Sequence, residues 1–156
     1  MATGRNRAIF FVPLAVVLSA CATAGTPNFA GQWGYRQTCG WNHSANLELS
    51  STGKSYTGSW DDGTRVRGDN GQLRGEVQGD RLMLRFCTQT SDQPCSDFDQ
   101  IDGYAVRKGA ALHWYRKSGD GYSPYLVLQQ AKAGKQVPAD NQCDDEEPKD
   151  DVAPER

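Results

Sequence analysis

The sequence predicts an all-β domain: a small antiparallel meander barrel of about eight strands, stapled by disulfides and followed by an acidic C-terminal tail. Three observations lead there. From Phe29 to Gln130, apolar and polar residues alternate in short runs, the period-two signature of half-buried antiparallel strands. The runs are separated by STGK, DDGT, GDNG, QGD, KGA and SGDG, whose Gly, Asn and Asp supply the positive φ that hairpin turns need. No helix-period stretch follows the N-terminal segment, so nothing can serve as the crossover helix between parallel strands. An open meander leaves adhesive edges, which closure removes. A flattened two-sheet sandwich is the alternative.

Taken in order, GQWGYRQ sets Trp33 and Tyr35 on one face, and NLELS aligns Leu47 with Leu49. SYTGSW aligns Tyr56, Gly58 and Trp60 against Thr57 and Ser59. RLMLRF sets Leu82, Leu84 and Phe86 opposite Arg81, Met83 and Arg85. ALHWYRK aligns Leu112 with Trp114, and YLVLQ closes the series.

Ahead of the domain, Arg5 and Arg7 precede an apolar run from Ala8 to Leu18, with no acidic residue before Glu48. A basic region followed by a short apolar one is an export signal. It is shorter than the roughly 20 residues that span a bilayer. The run ends on Leu18-Ser19-Ala20-Cys21, which resembles the lipobox of bacterial lipoproteins. That resemblance implies cleavage before Cys21, diacylglyceryl modification of its sulfur and acylation of the new amine, with palmitate among the expected chains. Two or three chains give the stable anchoring that one does not. Ala22 stands where lipoproteins kept at the inner membrane often carry Asp, which implies outer-membrane sorting facing the periplasm if the cell is Gram-negative. The expected organisation is therefore a signal peptide over 1–20, a lipidated tether over 21–29, the barrel over 30–131 and an acidic tail over 132–156.

With Cys21 lipidated, four cysteines remain: Cys39, Cys87, Cys95 and Cys143. An even number in an exported chain reads as a disulfide framework, and four cysteines permit three pairings. Pairing Cys87 with Cys95 closes a short local loop, and Cys39 with Cys143 then ties the start of the domain to its tail. The alternative is a metal site, but no CxxC or CxxH spacing occurs and His43 lies far from His113. No metal or other cofactor is expected.

The formal net charge of -2 conceals a split, because the last 17 residues hold eight acidic and two basic side chains. This tail, with no aromatic and one β-branched residue after Asp144, lacks the means to build a core and reads as disordered. A mildly basic domain in this compartment does not point to nucleic acid.

FAGQW followed by a hairpin ending in YTGSW resembles the opening of the calycin barrels, the lipocalins and avidins. On that resemblance Gly31 and Trp33 match a G-x-W motif whose tryptophan packs across one barrel end. Gly58 and Trp60 resemble the avidin second-strand ending. It covers about the first 30 residues of the domain, and no ligand-binding residues carry over from it.

No catalytic constellation stands out. Cys39-Gly40-Trp41 with His43 nearby suggests a thiol nucleophile, but a disulfide explains Cys39 better. Asp61-Asp62-Gly63 and Asp69-Asn70-Gly71 do not satisfy a calcium loop and read as turns. Asp97, Asp99 and Asp102 read as solvated residues of a long loop. Two features suggest a binding surface. Arg65, Arg67, Arg74, Arg81 and Arg85 could form a basic patch if they share a face. Trp41, Tyr104, Tyr115, Tyr122 and Tyr125 place aromatic density near strand ends, where it serves either recognition or barrel filling. The expected function is a lipid-anchored binding module of the envelope rather than an enzyme, for instance an inhibitor or immunity-type lipoprotein acting on an envelope-targeting hydrolase. Small-ligand binding and an assembly role for the acidic tail are the alternatives.

Overall fold

Eight strands form in succession: β1 Gly31–Arg36, β2 Ser44–Thr52, β3 Ser55–Gly63, β4 Gly68–Gln78, β5 Arg81–Thr88, β6 Gly103–Lys108, β7 Ala111–Ser118 and β8 Gly121–Gln130. This is a computed structural model, and it describes residues 27–89, 95–132 and 135–140. Each strand pairs antiparallel with the next, and β8 returns to β1 to close the barrel. The closing seam holds two residue pairs, Trp33 with Gln130 and Gly34 with Gln129, where β2 and β3 share nine. Residues 135–140, expected to belong to the tail, run along β1 instead. Asp140 N–H donates to the Arg36 carbonyl, Arg36 Nη1 donates to Gln136 Oε1, and Val137 packs against Gly34.

Up-and-down connectivity sorts the loops into two ends. The chain enters at the lower end with residues 27–30, beside the turns at 53–54, 79–80 and 109–110. The upper end gathers the three longer connections, between β1 and β2, β3 and β4, and β5 and β6, together with the two-residue turn at 119–120. Two stretches read as turns, Asp61-Asp62-Gly63 and Asp69-Asn70-Gly71, are strand instead, with Asp61 paired to Asn70 and Asp62 to Asp69. The hairpin continues past them and turns over 64–67, where Thr64 N–H donates to the Arg67 carbonyl.

An eight-stranded barrel is just wide enough inside for side chains to fill it. Here Leu47, Leu73, Leu82, Leu84, Leu112 and Leu128 are fully buried together with Trp33 and Trp114. At the lower end Phe29 is held from two sides. Its N–H donates to Tyr56 Oη at 3.2 Å, and Trp33 Nε1 donates to its carbonyl at 2.8 Å. Arg107 lies over the Trp33 ring at 5.4 Å and donates to the Asn28 carbonyl. Toward the upper end, Trp60, Phe86, Trp114 and Tyr125 form a chain of ring contacts at 5.0, 5.3 and 5.0 Å. Trp60 Nε1 donates to the Cys87 carbonyl, while the buried Trp114 Nε1 has no partner among the described residues.

Cys87 is bonded to Cys95, with Cα atoms 5.6 Å apart, as the short-loop spacing leads one to expect. Cys39 is also disulfide-bonded; Cys143 lies outside the described residues, as does Cys21. Beyond Cys95 the long loop folds back on the outer wall. Phe98 is buried beneath the Arg74 guanidinium at 4.2 Å, and Arg85 Nη1 donates to the carbonyls of Phe98 and Asp99. Asp102, expected to be solvated, accepts the Phe86 N–H at 2.7 Å, and its own backbone bonds Leu84 and Lys117. The cause is geometric, since the residue before β6 must satisfy backbone groups of β5 that the loop leaves open.

Strand glycines allow the tight coiling of this wall. A Cβ on Gly58 would stand 1.7 Å from the Glu48 carbonyl oxygen, so replacement by alanine requires backbone displacement. Gly58→Ala is expected to destabilise the domain by about 3 kcal/mol in urea unfolding. Gly121→Ala, at a site with nothing within 4 Å, should stay within about 0.5 kcal/mol of the parent.

Candidate functional site

Strand parity places two charged residues inside the upper mouth. On β3 the inward series runs Tyr56, Gly58, Trp60 and then Asp62; on β7 it runs Leu112, Trp114 and then Arg116. These two meet. Arg116 Nη1 lies 3.1 Å from Asp62 Oδ2, and the Asp62 side chain is only 7% exposed. Tyr125, turned inward by the irregularity between Trp114 and Tyr115 in the β7–β8 register, donates to the same oxygen at 2.6 Å. His43 Nε2 lies 2.7 Å from Asp62 Oδ1. A carboxylate only accepts, so Nε2 carries the proton in this contact. The 3.5 Å approach of Tyr125 Oη to His43 Nε2 is then proximity rather than a bond.

Ring packing completes the cluster. The Arg116 guanidinium sits 4.7 Å from the Tyr125 ring and 5.2 Å from Trp114. His43 is flanked by Tyr35 at 5.5 Å and Tyr125 at 6.0 Å. Burial, followed by the hydrogen bond and the charge of Asp62, pushes the Tyr125 phenol up to about 12. The phenol therefore remains a donor through neutral and moderately alkaline pH.

Chemically, the cluster anchors the loop that precedes β2. His43 ends residues 37–43, and its carbonyl accepts the Gln37 N–H. Within the loop Gly40 and Asn42 adopt φ of 55° and 52°, the left-handed conformation that Gly and Asn tolerate best. Trp41 lies between them, 64% exposed. Its carbonyl accepts the Arg65 N–H from the neighbouring hairpin tip, where Val66 is 67% exposed. The loop is thus fixed by Asp62 below, by the Cys39 disulfide and by the 64–67 hairpin beside it. A backbone ordered in this way before any contact lowers the loop-ordering cost of binding.

The arginine series does not form one patch. Arg65 and Arg67 flank Val66 at the upper rim. Arg74 and Arg85 face each other across β4 and β5 on the outer wall, where they hold the long loop. Arg81 stands at the start of β5, 4.5 Å from the Tyr104 ring. Of the aromatic group, Trp41 lies on the rim and Tyr125 inside the mouth, while Tyr104, Tyr115 and Tyr122 face outward. Asp62, Arg116 and Tyr125 were not singled out as a site in the sequence. The readable signal was a complementary pair of charges on inward-facing strand positions, each two residues beyond a tryptophan.

A groove of about 860 Å³ runs over the outer side of β1 and β2, between residues 37–43 on one side and Ala131 with residues 135–137 on the other. Its lining is mostly uncharged polar side chains. Among the described residues, no group of His, Cys, Asp or Glu is arranged to hold a metal ion.

No family model matches the chain, and neither curated proteins nor solved structures give a significant match.

Two measurements check the Asp62 cluster. Tyr125 has a raised pKa in the folded protein, so its contribution to stability is complete below the ordinary phenol value of about 10. Unfolding experiments should show that contribution lost as pH rises from about 10 to about 12. Asp62→Asn removes the carboxylate charge, leaves an amide oxygen as a weaker acceptor for the phenol, and keeps burial, the largest cause, in place. Spectrophotometric titration should therefore find the Tyr125 transition part of the way back toward 10. The same substitution should destabilise the domain by about 2 kcal/mol, below the full cost of breaking a buried pair because Arg116 is partly exposed.

Proposed function

We propose that the chain is a lipid-anchored binding module of the bacterial envelope that engages a protein through its upper rim. An inhibitor or immunity-type lipoprotein, acting on an envelope-targeting hydrolase, is the concrete form of this reading. The observation that carries it is Trp41, 64% exposed yet held by the loop geometry and flanked by the hairpin tip with Arg65, Val66 and Arg67. Tryptophan and arginine dominate the energetics of protein interfaces, chiefly where they are held ready for contact. The chain enters at the opposite end of the barrel, so a tether from Cys21 would direct the rim away from the membrane. Capture of a small ligand within the barrel is the weaker reading, because the interior is occupied by Trp33, Trp60, Trp114 and the buried leucines.

The experiment is inhibition of a panel of secreted peptidoglycan-cleaving enzymes by the mature protein. At least one enzyme should be inhibited, and Trp41→Ala should weaken inhibition roughly 30-fold, corresponding to about 2 kcal/mol, with the thermal midpoint unchanged. Absence of inhibition across the panel, or equal potency of Trp41→Ala, contradicts the proposal. For the anchor, Cys21→Ser should release the mature domain from membranes or stall its processing. Unchanged fractionation and processing would remove the lipoprotein reading.

A further inference from the structure

The outer wall of the barrel has two unlike sides. Strands β2 to β4 contain Glu48, Asp61, Asp62, Asp69 and Glu76, and their outward positions are largely Ser, Thr, Asn and Gln. Strands β5 to β8 contain no Asp or Glu. Their outward positions form two rows across four strands. One row is Met83, Tyr104, Tyr115 and Pro124; the other is Arg81, Val106, His113 and Val127. Tyr104 and Tyr115 stack at 4.6 Å, and Tyr122 meets Tyr104 edge-on at 5.2 Å. Tyr122 is 40% exposed and Val127 50%. Lys108 and Lys117, both exposed, bound the patch. Outward positions on a solvated wall are ordinarily polar, and a contiguous apolar face edged with cations marks a contact surface.

We propose that this face is the docking site for the chain's own acidic C-terminal segment, residues 141–156. Two arguments select that occupant. The first is charge: the segment carries seven acidic and two basic side chains, and the face presents Lys108, Lys117 and Arg81, the last 4.0 Å from Asp80 in the adjoining turn, with no carboxylate on its strands. The second is reach. Asp140 is pinned to Arg36 at the end of β1 and to Gln37 just beyond it, and β1 neighbours β8 in the closed barrel. Crossing from β1 through β8 and β7 to β6 covers about 14 Å, whereas the 13 residues after Cys143 alone extend to about 40 Å. The tether also raises the local concentration of the segment to the millimolar range, so weak ion pairs suffice. Docking would cover Tyr122 and Val127 until a more acidic or more apolar partner displaced the segment. This proposal is independent of the reading given to the rim.

The test is tyrosine nitration of the mature full-length protein, resolved by peptide mass spectrometry. A variant with Asp144, Asp145, Asp150 and Asp151 changed to Asn, and Glu146 and Glu147 changed to Gln, is compared with the parent. At low ionic strength Tyr122 and Tyr115 should react several-fold faster in the variant. Salt raised to about 0.5 M should bring the parent to the same rate by screening, and the buried Tyr56 should remain slow in both as a control for folding. A synthetic peptide of residues 144–156, added at millimolar concentration, should restore protection to the variant. Equal nitration rates in parent and variant at low salt overturn the proposal. So does protection that rises with protein concentration, which would assign the face to a second copy of the chain.

Discussion

The interior width of an eight-stranded barrel is the constraint from which the rest of this structure follows. At that width opposing side chains meet across the axis, so each inward position must be apolar or be paired, with small residues such as Gly58 and Ala105 facing large ones. Trp33, Trp60 and Trp114 meet the first condition along the length of the barrel, and Asp62 with Arg116 meets the second at the mouth. With the interior occupied, what the barrel leaves open to solvent is its loops and outer wall.

The Asp62 carboxylate links the two zones. It accepts from Tyr125 and pairs with Arg116 inside the barrel, and through His43 it fixes the loop that presents Trp41 outside. A buried ion pair of this kind is weak evidence for net stability, since desolvation opposes its attraction. Its value here is geometric: a particular loop conformation is selected, with Gly40 and Asn42 in left-handed conformations on either side of an exposed indole. At the lower end, the Phe29 backbone is clamped by Tyr56 and Trp33 in a comparable way, and the chain's point of entry is fixed there. The two ends therefore differ in kind, one closed on the entering chain and one carrying the long loops.

Much of this was legible in the sequence, for physical reasons. Alternation is a local property, so RLMLRF and ALHWYRK disclose both their strands and their inward faces. The Cys87–Cys95 staple is one of the three pairings that four cysteines permit, and the sequence offers only its short spacing in favour. The turns at Asp61 and Asp69 were misjudged because glycine and aspartate suit turns in isolation, whereas in the barrel Gly71 serves a close approach of β4 to β5 and Asp62 is retained by three partners. The arginines were read as one group because strand parity cannot show which of them a distant loop will engage. Phe98 and Asp99 engage Arg74 and Arg85 from more than ten residues away in sequence. The orientation of Tyr104, Tyr115 and Tyr122 also depended on register, which joins Met83, Tyr104, Tyr115 and Pro124 into a row only once the strands are paired.

Trp33, Trp60 and Trp114 fill the barrel interior, and Trp41 alone among the four tryptophans lies exposed, on the rim. Indole N–H resonances of a nitrogen-15-labelled sample, recorded with a soluble gadolinium chelate, test this most directly. The account predicts strong broadening of the Trp41 indole and none for Trp33, Trp60 or Trp114, including Trp114, whose N–H has no protein partner among the described residues. Broadening of Trp60 or Trp114 comparable to that of Trp41 would mean the mouth admits solutes, and the claim of a filled barrel would be contradicted.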